Sequence, residues 1–162
     1  MSDQRASVAP NRDDESPEER LDRNLAELVN ELRVALPGVQ VLFAFLLVVP
    51  FNQRFAAVQP FELGAYVFTL FATAAASIFL IAPSVHHRLR FRQADKEALV
   101  VTGNRLAIIG LTFLALAMTG VVLLVTGFLF SGSAAAIATA AMGLAFIVVW
   151  FAIPLRRSLR DR

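Results

Sequence analysis

The sequence predicts an all-α membrane protein: four transmembrane helices preceded by a cytoplasmic amphipathic helix, with both termini cytoplasmic. Three observations predict it. Hydrophobic residues make up 57% of the 162-residue chain and charged residues 17%, against roughly 45–50% and about 25% in soluble domains. The charges collect almost entirely in blocks at 1–33, 86–105 and 156–162, separated by long uncharged stretches. The Lys and Arg residues fall overwhelmingly on one side of those stretches. A soluble core needs no such segregation, whereas a bilayer enforces it, because a charge at its centre costs several kcal/mol.

A helix needs about 20 apolar residues to cross a hydrocarbon layer ~30 Å thick. Between Arg33 and Arg54 lie 20 residues without a charge, which places span one at about 35–51. Between Glu62 and His86 lie 23, centred on AYVFTLFATAAASIFLIAP, which places span two at about 63–83. From Leu106 to Leu155 there are 50 uncharged residues, enough for two spans and a turn. The SGS triplet at 131–133 is the expected turn, so spans three and four fall at about 106–129 and 134–154.

Orientation follows from basic residues. The segments 1–33, 84–105 and 156–162 carry 14 Lys and Arg, whereas 52–62 and the 130–133 turn carry only Arg54. The positive-inside rule then puts both termini, the central connection and the basic tail 156–162 in the cytoplasm of a cell (inner or plasma) membrane. The first 33 residues hold nine acidic side chains, opposite to a cleavable leader's basic start. Span one is therefore expected to act as an uncleaved signal anchor.

Residues 1–15 lack aromatics and apolar periodicity and are expected to form a disordered tail. In SPEER, Ser16 suits an N-cap, Pro17 the first helical position, and Glu19 the reciprocal capping partner. Leu21, Leu25, Leu28, Val29, Leu32 and Leu36 then share one face, predicting an amphipathic helix over 16–36. Its mixed charge suits an interfacial helix or a helix that packs on a partner. Pro37-Gly38 is expected to break that helix and turn the chain into the bilayer, with Pro50 closing span one. A hinge also accounts for Gln40, one turn into the span; the competing reading makes Gln40 part of an intramembrane site.

The middle of each span contains no Asp, Glu, Lys, Arg or His. What remains polar there is hydroxyl. Thr69, Thr73 and Ser77 recur every four residues, and Thr112, Thr119 and Thr126 every seven, so each set keeps to one helix face. Helix packing is the plainer reading; a polar path for a solute is the sharper one. Ala72/Ala76, Ala136/Ala140 and Ala141/Ala145 supply small faces four residues apart, pointing to a compact bundle, a homo-oligomer or a membrane-protein partner. Arg33-Val34-Ala35 and Arg105-Leu106-Ala107 open spans one and three alike, a weak hint of a parallel internal repeat.

Other chemistries find little support. The chain has no cysteine, which removes disulfides, thiolate catalysis and iron–sulfur ligation. His86 and His87 are adjacent, diverge on a helix and sit among arginines, so interface histidines with a pH-sensing option fit better than a metal site. The net charge of +2 and the flanking placement of basic residues fit a lipid surface, with no nucleic acid expected. No nucleophile–base pair, carboxylate pair or phosphate loop is apparent, so neither enzyme activity nor a cofactor is expected.

The runs RLDRNLAELVNELRVALPGVQVLFAFLLVVPFNQRF, APSVHHRLRFR, NRLAIIGL and PLRR resemble a family of small four-span actinobacterial membrane proteins of unknown function. The resemblance covers about residues 20–157, and ELRVALPGVQVLFAFLL is its most specific part. Members often carry the label sodium:proton antiporter, so the resemblance implies membrane location and topology, with cation/proton exchange as one attached activity. Taken together, the residues predict a non-enzymatic accessory or structural membrane subunit. A small cation/proton transporter using Gln40, the hydroxyl stripes and the His pair is the alternative.

Overall fold

The computed structural model describes residues 16–90, 96–130 and 132–160; the predicted 1–15 tail and the last two residues lie outside them. Helix α1, Pro17–Val48, starts where the capping chemistry puts it. The Glu19 N–H donates to Ser16 Oγ at 3.3 Å, and the Ser16 N–H donates to the Glu19 carboxylate at 2.8 Å. Two otherwise orphaned donors are thereby satisfied reciprocally.

The break expected at Pro37-Gly38 is absent. Helix α1 runs through Pro37 for 32 residues without interruption, a length of about 48 Å. Leu25, Leu32, Val39 and Leu46, each seven residues from the last, are all buried. The apolar stripe of 17–36 thus continues across the proline in one register and packs against the same neighbours. Pro37 and Gly38 point outward, away from that seam. Tertiary packing on both sides holds a helix that local preference would end. Residues 17–36 are therefore continuous with the helix of span one.

Helix α1 ends at Val48, two residues before Pro50, and the chain tightens into two short 3₁₀ turns, Val49–Phe51 and Gln53–Ala57. Helix α2, Pro60–Arg90, opens with the Gln59 N–H donating to the Glu62 carboxylate at 3.0 Å. It passes through a buried Pro83 and extends two turns beyond the predicted end of span two. Helix α3 covers Lys96–Leu129 and helix α4 starts at Gly132, so the far-end turn is tighter than three residues.

The fourth span is not one regular helix. Helix α4, Gly132–Phe146, widens into a π turn over Ile147–Ala152 before α5, Ile153–Arg160. The Ile153 N–H donates to the Val148 carbonyl, five residues back. Pro154 follows immediately; its ring would press on the carbonyl four residues back in a regular helix, and the wider turn relieves that crowding.

Four helical segments are long and apolar enough to cross a membrane: Glu19–Phe51, Pro60–His86, Glu97–Leu129 and Gly132–Arg156. The helices run up and down, so that the start of α1, the end of α2 and the start of α3 share a near end. Residues 49–59 and the α3–α4 turn share the far end. Helices α1, α2 and α3 pack on one another around Leu32, Val39, Ala76, Leu80, Ala107 and Leu114. Among the described residues, α4 packs on α3 and makes no close backbone approach to α1 or α2. The result is a three-helix core with a peripheral fourth span, in place of a closed four-helix bundle.

Candidate functional site

The hydroxyl stripe of α2 meets the glycines of α3 at the α2–α3 seam. Thr69 and Thr73 are fully buried and Ser77 is half-buried. Each hydroxyl donates to the carbonyl four residues earlier on its own helix: Thr69 to Ala65 at 2.7 Å, Thr73 to Thr69 at 2.8 Å, Ser77 to Thr73 at 3.1 Å. The α3 set behaves alike, with Thr112 donating to Ile108 and Thr119 to Ala115, both at 2.8 Å, and Thr126 to Val122 at 2.5 Å. These side chains answer their own backbones.

The two stripes do not face each other. Thr69 packs on Gly120 of α3, while the neighbouring Thr119 turns toward Gly143 of α4, and Thr112 is exposed. Adjacent helix positions diverge by about 100°, which sends Thr119 and Gly120 to different partners. The structure therefore does not assemble the six hydroxyls into one lining. It does bring α2 and α3 into close approach: Gly110 sits under Leu80, and Gly103 receives Leu28 from α1 and Pro83 from α2. Phe79 and Phe113 stack across the same seam with centroids 5.7 Å apart.

The remaining candidates scatter. Gln40 is exposed on α1, one position past the buried Val39, so it faces away from the core. His86 is exposed near the end of α2, with Nδ1 2.9 Å from the Ala82 carbonyl oxygen. The His87 side chain lies outside the described residues. Of the small-residue pairs, Ala72/Ala76 is buried against the core, whereas Ala136, Ala140, Ala141 and Ala145 are all exposed. Helix α4 meets α3 through its other side, where Ala135 is buried. Among the described residues, no three His, Asp or Glu side chains group as metal ligands.

Sequence reading missed one further feature. Because α4 stands off from α1 and α2, a cavity of about 1090 Å³ opens at the far end between them. Phe45, Leu46, Val121, Leu124 and Phe128 form apolar walls, and Asn52, Gln53 and Glu62 stand among the lining residues at the helix ends. Tyr66 organises one side. Its hydroxyl donates to the Leu46 carbonyl at 2.9 Å, and its ring meets Phe55 edge-on at 5.2 Å. Pro50, four residues after Leu46, has no N–H to offer that carbonyl. The Val49 N–H and the Tyr66 hydroxyl supply donors instead. A lone tyrosine sixteen residues after the span-closing proline was the available signal.

Fold and composition define a helical membrane protein with four span-length helices. Residues 14–154 match the DUF6328 family, a family of unknown function. The chain belongs to that family, and the match covers nearly all of the segment on which the sequence resemblance rested. No curated protein and no solved structure matches the chain.

Proposed function

We propose that the protein is a non-enzymatic accessory or structural subunit of the cell membrane, with both termini cytoplasmic. The observation that carries this reading is the fate of the intramembrane hydroxyls. All six donate to carbonyls of their own helices, and the two stripes take different neighbours. A solute path needs polar groups turned toward a shared lumen, and a proton-coupled carrier ordinarily needs an ionisable group near the midplane. These spans offer neither. The 14-to-one distribution of basic residues supports the cytoplasmic placement of the near end.

The apolar stripe of 17–36 is taken up by the chain's own α2 and α3, through Leu28 and Leu32 among others. A partner would use what is left: the charged outer face of near-end α1 or the exposed alanine face of α4. The test uses purified protein in sealed vesicles holding a pH gradient, with sodium, potassium and lithium added in turn and empty vesicles as control. The expected trace is flat for all three. Cation-dependent collapse of the gradient would replace this reading with the alternative, a small cation/proton carrier of the antiporter kind.

A further inference from the structure

The far-end cavity is built for an amphiphile. Its walls come from α1, α2, α3 and α4 within their apolar, span-length segments, so it lies at the level of one leaflet. Most of its lining is Phe, Leu, Val and Ala, while Asn52, Gln53 and Glu62 come from the helix ends and the connecting turns. Polarity is thus confined to the end where a headgroup layer lies. A space of about 1090 Å³ is too large to persist as an empty void in a bilayer, and its apolar lining is a poor host for water. Neither α1 nor α2 comes into close backbone approach with α4 to close it, among the described residues. The wall therefore opens sideways to hydrocarbon.

We propose that this cavity holds a membrane phospholipid, one acyl chain lying between α1/α2 and α4 and the headgroup at Asn52, Gln53 and Glu62. The bound lipid completes the packing of the fourth span, which the protein's own side chains leave open toward α1 and α2. This rests on the membrane reading but not on the absence of transport.

The structure supplies a clean test. A Cβ added at Gly127, in the cavity lining, meets nothing within 4 Å, and the same holds at Gly38 on the outer face of α1. Gly127→Phe therefore fills the cavity, and Gly38→Phe is a matched control. The full chain, purified in mild detergent, is titrated with dioleoylphosphatidylethanolamine, whose ammonium suits the Glu62 carboxylate, and examined by native mass spectrometry. The expected result is one lipid retained per wild-type and Gly38→Phe chain after detergent is stripped. Gly127→Phe is expected to bind about tenfold more weakly. Ala136→Phe, on the α4 wall, serves if Gly127→Phe does not fold. No retained lipid, or equal retention in the filled variants, would overturn the proposal. So would a shift from dimer to monomer on filling, which would show a second copy as the occupant. Protein recovered in the soluble fraction of cells would instead remove the membrane reading itself.

Discussion

Leu80 stands so close over Gly110 that a Cβ built on the glycine would lie 2.7 Å from Leu80 Cγ and 3.1 Å from Leu80 N. The second distance matters more, because a side-chain tip can rotate away and a backbone nitrogen cannot. Helices α2 and α3 approach this closely only because position 110 has no side chain. In lipid, where apolar contact alone gives little drive for association, such backbone proximity is a main source of helix–helix affinity.

Gly110→Ala is accordingly expected to force the two helices apart and destabilise the protein by about 1–3 kcal/mol, the usual cost of overpacking. Gly103→Ala is the contrast. Its Cβ would meet the flexible Leu28 Cδ2 at 3.1 Å and Pro83 Cβ at an ordinary 3.6 Å. A small shift of Leu28 accommodates it, and the gain in helix propensity of up to about 1 kcal/mol compensates. Thermal unfolding in detergent should rank Gly103→Ala near wild type and Gly110→Ala clearly below. The reverse order would mean that the seam is looser than the distances indicate.

Thr69→Val and Thr73→Val separate packing from a polar path. Valine keeps the shape and loses only a hydroxyl that bonds within its own helix. Each is expected to change stability by less than about 1 kcal/mol and to leave vesicle permeability to cations unchanged. A selective loss of cation flux in either variant would give the hydroxyls a transport role.

Tyr66→Phe removes the buried bond to the Leu46 carbonyl while preserving the ring contact with Phe55. The carbonyl keeps the Val49 N–H, so it is not left bare. The expected loss is about 0.5–1.5 kcal/mol, read as a lower unfolding midpoint. No change at all would indicate that the α1 C-terminus is held by the 3₁₀ turn alone.

Pro37→Ala tests the continuity of α1. In a broken chain this residue sets the direction of the next segment, and its replacement disrupts insertion. In a continuous helix with Pro37 exposed, alanine restores a backbone hydrogen bond and removes a ring clash. Stabilisation by up to about 3 kcal/mol is expected, with near-end protease sites unaltered. Loss of membrane insertion in this variant would restore the hinge.

Several of these relationships were legible in residue spacing. Leu25, Leu32, Val39 and Leu46 repeat every seven positions, as do Gly103 and Gly110. Such a period marks a packing seam. It was obscured in α1 by the local weight of Pro37-Gly38, and in α3 by residues that are apolar on every side. The near-identical alanine pairs are more instructive still. Ala72/Ala76 is buried and Ala136/Ala140 is exposed, although both satisfy the same small-residue pattern.

The sequence by itself determined the number of span-length helices, the cap at Ser16, the stop at Pro50 and the segregation of charge. Each of these follows from local free energies: transfer of a segment into hydrocarbon, satisfaction of a helix end, or a missing N–H. Only the tertiary structure decided that α1 continues through Pro37, that the two hydroxyl stripes take different neighbours, and that α4 stands aside to leave a cavity. Those outcomes depend on which faces meet. Along a helix that is apolar all round, composition does not distinguish a face that binds a neighbour from one that binds lipid, because both surroundings are equally dry.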